Sequence, residues 1–393
     1  MPAMTTVTLS AGARVRERLD LAGFAGLLGF VAALQVSIAA AGILLAFTIL
    51  CWALFVLLHQ DRVAVPRMFW PLLVYAAVTL VSAAFSPDPH ASFVDSKQLV
   101  LFLLVPVVYE FARGPRAMTV MTVVITVGAV SAALGIIQYG LLNYDNLGQR
   151  PQGTLGHYMT YSGLLLLVTG AAVARLLFER HDRTWPAVMM PALLVAIVLT
   201  LTRSAWVGTC MAVAMLLAMK DRRLLAVAPI AAAVFLALAP PHVTSRFYSM
   251  FDLHDPTNRD RVAMLREGAA MIRTHPLTGV GPNMVERVYE IYRHPTAVQK
   301  VNPHLHNVPV QIAAERGLPA LGVWIWFIVS VTAALMAVRR RSRHASLPAA
   351  GLAAIAGMLA AGLFEYNFGD SEFLMLFLVL VTLPLAAERP DHA

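Results

Sequence analysis

One hydrophilic stretch, residues 240 to 316, interrupts a chain that is otherwise a succession of apolar runs. These runs fall at residues 20 to 36, 39 to 58, 68 to 85, 97 to 112, 117 to 141 and 157 to 178. They resume at 186 to 202, 204 to 219, 223 to 239, 317 to 338, 347 to 364 and 371 to 387. A helix needs ~20 apolar residues to cross ~30 Å of hydrocarbon, so each run reads as one membrane span. The first two share one unbroken stretch and are divided on length alone. With 59% of the 393 residues hydrophobic and 13% charged, an ordinary water-soluble enzyme is excluded. The expected fold is an all-α polytopic membrane protein of about 12 transmembrane helices with one long helical loop. Residues 1–239 hold helices one to nine, 240–316 the loop and 317–393 the last three helices.

Charge tests this arrangement independently. In a soluble chain a net charge of +8 would suggest a nucleic-acid partner, but in a membrane protein the side on which the positive residues lie matters more. With both termini cytoplasmic, the inner segments hold Arg14, Arg16, Arg18, Arg62, Arg67, Arg113, Arg116, Arg175, Arg180, Arg183, Lys220, Arg222, Arg223, Arg339, Arg340, Arg341, Arg343 and Arg389. The short outer loops hold only Lys97, Arg150 and Arg203. Gaining or losing a single helix before the long loop would scramble this alternation. The surplus is therefore a topology signal, and no nucleic-acid partner is expected. Arg14, Arg16 and Arg18 resemble the start of a signal peptide, but the run behind them is too long for one. Cys51 and Cys210 lie inside apolar runs, read as small buried hydrophobes, and give no disulfide framework.

On this topology the long loop faces away from the cytoplasm. Thr257 or Asn258 can cap a helix beginning near Arg259, with Val262, Leu265, Ala269 and Ile272 as its apolar stripe. Arg259, Arg266 and Arg273 flank one side of that stripe and Arg261 the other. The turn His275-Pro276-Leu277-Thr278-Gly279-Val280-Gly281-Pro282 ends it, and Pro282 can begin a second helix through Tyr292. A third helical stretch, near His304 to Arg316, ends at Gly317 as its C′ residue. Two readings of the loop stand. It is a cap whose arginines meet lipid headgroups, or its arginines grip an anionic substrate through bidentate, charge-assisted hydrogen bonds.

Arg203 sits between two apolar runs with no acid nearby in sequence. A charge at such depth needs a cavity, an anionic ligand or snorkelling to the headgroups. Arg150, in the short loop 148–153, is a candidate for the same anion site, and Glu365, Asp370 and Glu372 gather where a carboxylate can orient a histidine or pair with an arginine. His304 and His306 stand where the long loop rejoins the membrane, followed by Asn307, Gln311 and Gly317. His-x-His is also half a metal site, but no DxD or HExxH pattern accompanies it, and no metal is expected. No P-loop or Rossmann glycine pattern is present, so nucleotide chemistry has no visible seat.

Three stretches together resemble a known family. They are Leu199 to Trp206; Arg261-Val262-Ala263-Met264-Leu265 followed by Pro276 to Gly281; and His306-Asn307 with Gly317 ten residues past the Asn. Arg261 and Leu265 are similar to an RxxxL element, and His306 to Gly317 to an H[NSQ]-x9-G element, of the bacterial O-antigen ligases. These ligases sit within a wider family with O-antigen polymerases and pilin oligosaccharyltransferases. The chain departs at Ala320, where the family pattern often has Gly, Thr or Tyr.

The resemblance implies a GT-C-like glycosyltransferase of the bacterial inner membrane, with both termini cytoplasmic and its active site in the periplasm. It implies a donor glycan on undecaprenyl pyrophosphate and an acceptor sugar hydroxyl on lipid A core, with membrane lipids around the chain and neither cofactor nor metal. Arg203 and Arg261 would then bind the pyrophosphate, with Arg150 and Arg266 in support. His306 would act as general base with inversion at the anomeric carbon, Asn307 and His304 would contact loop or substrate, and Asp370 would orient His306. The alternatives are a polymerase, a pilin oligosaccharyltransferase with the same donor and, from another class, a lipid-linked glycan transporter. A transporter would place its polar groups near the bilayer midplane, often within internal repeats, whereas no repeat is visible here and the polar residues gather on the outer face.

Overall fold

The computed structural model describes residues 11–59, 63–179, 182–342 and 344–389. Arg62, Arg180 and Arg343, counted above on the inner face, lie outside them. The described chain is helical, with no strand among the described residues. The first half holds α1 (Ala11–Ala33), α2 (Ile38–His59), α3 (Phe69–Ala84), α4 (Pro89–Asp95), α5 (Leu104–Phe111), α6 (Arg116–Leu142), α7 (Tyr158–Phe178) and α8 (Thr184–Leu199). The second half holds α9 (Arg203–Lys220), α10 (Val227–Leu238), α11 (Pro241–Tyr248), α12 (Pro256–Thr274), α13 (Val285–Tyr292), α14 (Val308–Arg339), α15 (Ser346–Ala361) and α16 (Ser371–Ala387). Short 3-10 turns cover Ser96–Leu103, Arg222–Ala226 and Asn367–Gly369.

Every apolar run read from the sequence is occupied by helix. Five helical stretches, among them α2, α6, α7 and α14, are long and apolar enough to cross a membrane, and α3, α8, α15 and α16 are shorter apolar helices. The protein is thus an all-helical, polytopic membrane protein. The run at 97 to 112 is not one regular helix: it joins a 3-10 turn to α5, behind α4, which Asp88 caps by accepting from the Ala91 N–H at 3.0 Å. Cys51 is buried as expected, but Cys210 is exposed on α9, because that helix turns Gly208 and Ala212 inward instead.

Small residues set the packing at the centre. A Cβ on Gly208 would lie 2.3 Å from Leu166 Cδ1 and 2.8 Å from the Gly357 carbonyl, so α7, α9 and α15 approach closely only because glycine and alanine line their contact. Side-chain bonds then tie helix ends together in two groups. At one end Arg113 and Arg116 pair with Asp20, Arg113 also with Glu110, and Arg389 with Glu110; Lys220 bonds the Leu177 carbonyl and Arg339 the Met219 carbonyl. At the other end the heads of α7 and α9 and the tail of α15 meet the long loop. That second end carries the site.

The loop departs from its expected form in three respects. Asp255, rather than Thr257 or Asn258, caps α12, accepting from the N–H groups of those two residues at 3.0 and 3.2 Å, with Pro256 in the first turn. The second helix begins at Val285 instead of Pro282, because the chain runs through Gly281 and Asn283 in the left-handed region (φ 103° and 58°). The buried face of α12 is Asp260, Ala263, Met264, Glu267, Gly268 and Met271, while Val262 and Leu265 stay 41% and 43% exposed. Polar satisfaction decides that register. Asp260 accepts the Val298 and Gln299 N–H groups at 3.0 and 3.1 Å, and Glu267 accepts the His294 N–H at 2.8 Å, so two carboxylates organise the returning chain. An apolar-stripe rule counts them as surface.

Gly317 breaks α14 (φ 82°, ψ 169°) instead of ending it, and the helix resumes at once. Pro319 has no N–H to offer the Glu315 carbonyl, and the Leu318 N–H turns to the Pro276 carbonyl at 2.8 Å. The freed carbonyls of Ala314 and Glu315 accept the Val280 and Gly281 N–H groups, each at 2.8 Å, and Ser82 donates to Glu315 and Thr278. A Cβ on Gly279 would lie 2.2 Å from the Glu315 carbonyl carbon, and one on Gly317 2.1 Å from the Leu277 oxygen. Backbone against backbone, the 276–281 turn locks the loop onto the start of α14, where His306 stands.

Candidate active site

Arg203 is the first residue of α9, reached through a tight corner in which Leu201 has φ 52°. It is 4% exposed, and its guanidinium is held by the loop: Nη1 donates to the Ser249 carbonyl at 2.9 Å and to its Oγ at 3.2 Å, and Nη2 lies 3.4 Å from Asp255 Oδ1. The snorkelling reading of Arg203 is therefore replaced by a buried, protein-held charge. Asp255 serves twice, as cap of α12 and as partner of Arg203.

Three further arginines crowd the same place. Arg246, on α11, donates from Nε to the Leu201 carbonyl at 3.2 Å. Burial, then the neighbouring charges of Arg203 and Arg150, pull its pKa down to about 10 against the opposing pull of Asp255. Arg261 is lowered by burial and then by Arg203, with Glu365 and Asp255 acting the other way; its Nε is buried without a partner, and its guanidinium lies 5.8 Å from the Phe364 ring. Arg150, lowered chiefly by burial, stacks 3.8 Å over Tyr158 and feels Arg203. Four guanidiniums thus share a partly buried site with two carboxylates, Asp255 and Glu365. Positive charge gathered in this way favours an anion as its partner.

Beside them stands an imidazole–carboxylate pair. Asn307 caps α14, accepting from the Val310 N–H at 3.0 Å and donating to the Leu363 carbonyl at 3.1 Å, while the Val308 N–H reaches the Gly362 carbonyl at 2.7 Å. This stitching holds the start of α14 against the turn after α15. His306, at φ 48°, is turned back so that Nδ1 lies 3.0 and 3.1 Å from the two oxygens of Glu365. Burial works to raise the Glu365 pKa, but His306 and His304 hold it at about 2. His304 packs edge-on against His306, 4.1 Å between ring centres, and burial followed by His306 lowers its pKa to about 4. With Nδ1–H donated to the carboxylate, His306 presents Nε2 as a proton acceptor, and that nitrogen makes no hydrogen bond among the described residues.

His304, His306 and Glu365 offer ligand atoms within 4.8 Å of one another, a spacing that can hold a metal ion. Arg261, which interacts with Glu365, adds positive charge there, which opposes a cation and favours an anion.

A cavity of about 180 Å³ opens next to the pair. Its walls come from the head of α7 (His157, Thr160, Ser162), the head of α9 (Ser204, Ala205), His304, and the turn from Ala361 through Glu365, Tyr366 and Asn367 to Asp370 and Phe373.

The structure brings together Arg203, Arg261, Arg150, His304, His306 and Asn307 from the sequence reading. It leaves Arg266 exposed on another face of α12, apart from the guanidinium cluster. Asp370 does not orient His306: it caps α16, accepting from the Phe373 N–H at 2.9 Å, and takes the Thr160 hydroxyl at 2.5 Å. The histidine's partner is Glu365. A cap signal was available, since Asp370 directly precedes the last apolar run. Arg246 carried no sequence signal, because only folding brings α11 under Leu201.

Residues 187–325 match the family model described as O-antigen ligase. No curated protein matches the chain. The matched stretch holds Arg203, Arg246, Arg261, His304, His306 and Gly317, whereas Arg150 and Glu365 lie outside it. The likeness to the O-antigen ligase family thus spans residues 187–325, about a third of the chain.

Proposed function

We propose that the protein is an O-antigen ligase, transferring a glycan from undecaprenyl pyrophosphate to a sugar hydroxyl of lipid A core on the periplasmic side of the bacterial inner membrane. The observation that carries this reading is the cluster of Arg150, Arg203, Arg246 and Arg261 beside the His306–Glu365 pair. A lipid-linked pyrophosphate brings its own leaving group, and what it needs from the protein is positive charge arranged in advance. Guanidiniums grip phosphate oxygens bidentately, and preorganised donors of this kind are worth ~3–4 kcal/mol each to a transition state.

In the reaction the acceptor oxygen forms a bond to the anomeric carbon while the bond from that carbon to the pyrophosphate oxygen breaks. The leaving pyrophosphate keeps the electron pair and is stabilised by the arginines. The hydroxyl proton passes to Nε2 of His306, and Glu365 stabilises the imidazolium that forms. A single displacement with one base inverts the anomeric centre. No metal enters this scheme, because the arginines supply the charge. The loop and helix ends that build the site would face the periplasm in a GT-C-like arrangement of twelve crossings, with both termini cytoplasmic.

Reconstitution with undecaprenyl-pyrophosphate glycan and lipid A core tests the reading directly. The expected product is glycosylated core, lost in His306→Ala while that variant still inserts and binds donor. Extension of a second lipid-linked glycan instead would make the protein a polymerase, and movement of donor across the bilayer without transfer would make it a transporter.

A further inference from the structure

The cavity beside Glu365 contains no arginine or lysine, although four arginines lie close by. Its polar groups are of another kind: the hydroxyls of Thr160, Ser162 and Ser204, the imidazoles of His157 and His304, the carboxylates of Glu365 and Asp370, and the Asn367 amide, with the rings of Tyr366 and Phe373 as apolar walls. Both carboxylates are already engaged, Glu365 by His306 and the Tyr366 N–H, and Asp370 by Thr160 and the Phe373 N–H. Their remaining lone pairs suit neutral donors. Two buried polar atoms on the cavity's lining residues have no partner, Asn367 Oδ1 and His304 Nδ1, and Asn367 itself is 6% exposed. Unpaired buried polar atoms are uncommon and costly, and a cluster of them marks a place where a ligand supplies the missing hydrogen bonds.

We infer that this cavity is the subsite for the acceptor sugar, holding one uncharged pyranose ring. A pyranose presents hydroxyls round its edge and apolar C–H faces above and below, which matches a lining that combines carboxylate, amide and hydroxyl groups with two aromatic rings. A pyrophosphate does not match, since the lining offers it two carboxylates and no arginine or lysine. The site is thus divided by charge: the anion is held by the arginines, and the neutral ring that carries the nucleophile sits in the cavity that Glu365 lines. Glu365 belongs to both parts, lining the cavity and orienting His306, so ring binding and proton acceptance are coupled through one carboxylate. This assignment rests on the transferase reading for its word "acceptor"; the recognition of a neutral sugar stands on the cavity alone.

The test uses the full chain in detergent or vesicles with Thr160→Val, which removes the hydroxyl and keeps the shape, Thr160→Ser, which restores it, and Ala361→Phe, which fills the cavity. Saturation-transfer NMR with lipid-free core oligosaccharide should show contact in wild type and Thr160→Ser, and its loss in Ala361→Phe. Inorganic pyrophosphate should bind all four proteins alike. In steady-state transfer, Thr160→Val should raise the acceptor KM about tenfold, with donor KM unchanged and kcat largely kept. An oligosaccharide signal that survives Ala361→Phe, or a rise in donor KM in place of acceptor KM, would overturn the assignment. If no acceptor is ever glycosylated but the oligosaccharide signal behaves as described, the neutral-sugar subsite stands and the transferase reading falls.

Discussion

His306 and Glu365 meet where α14 leaves the long loop, with Nδ1 3.0 and 3.1 Å from the two carboxylate oxygens. The pair fixes the tautomer that leaves Nε2 free to take a proton. Glu365→Gln preserves shape but can donate to the ring, which favours the wrong tautomer. Transfer should fall by about 10²–10⁴-fold, the range ascribed to general acid–base catalysis, with donor affinity little changed. Single-turnover rates with prebound donor measure this, and a variant as fast as wild type would remove the orienting role.

Arg246 was invisible in the sequence and lies half-buried among Arg203, Arg150 and Arg261. A hydrogen bond to a charged partner is worth ~1.5–3 kcal/mol, so Arg246→Gln should weaken donor binding by about 10- to 150-fold. Arg203→Lys should also lose much of its effect, because an ammonium cannot reproduce the fork that holds Ser249 and Asp255. Arg266→Gln, on the exposed face of the same loop, should bind donor as wild type does. Equal losses in all three would point to a diffuse electrostatic attraction instead of a defined site.

His304 has a pKa near 4, below its ordinary 6.5, because burial and His306 outweigh Glu365. Between these two values the unfolded chain binds a proton that the folded protein refuses. Its contribution to stability is thus fully present above pH 6.5 and is lost as pH falls toward 4. Glu365, held at about 2 against 4.5, loses its contribution only at still lower pH. Thermal unfolding in detergent at pH 7 and pH 5 should show a smaller pH-dependent loss in His304→Gln than in wild type. Parallel losses would mean that His304 already accepts a proton in the folded protein.

Gly279→Ala and Gly317→Ala each force a Cβ to within about 2.2 Å of backbone atoms. The left-handed conformation alone costs ~1–2 kcal/mol for an L-residue, before any clash. Both variants should unfold at lower temperature and expose the 276–281 turn to faster hydrogen exchange. A change confined to activity, with exchange unaltered, would contradict the locking role.

Chelation addresses the His304–His306–Glu365 group. Purified protein should keep full transfer activity in excess EDTA. Loss of activity with recovery on adding a divalent ion would assign those three residues to a metal and displace His306 as base.

Much of this protein was legible in one dimension. Apolar runs of membrane length could only become helices, and alternation of the arginines along the chain fixed which helix ends belong together, because neither depends on distant contacts. The short motifs around Arg203, Arg261 and His306 likewise marked residues that folding brings together. Tertiary structure decided the rest. The buried face of α12 carries Asp260 and Glu267 because backbone N–H groups from residues 294–299 need acceptors there, a demand absent from the helix's own periodicity. Glu365, not Asp370, holds His306 because Asp370 is spent on capping α16 and on Thr160. Arg246 joins the cluster only when α11 folds under Leu201. Sequence sets which segments leave water, since hydropathy is local. Which charged groups then meet is settled by packing, because a buried charge keeps its place only where the folded chain supplies its partner.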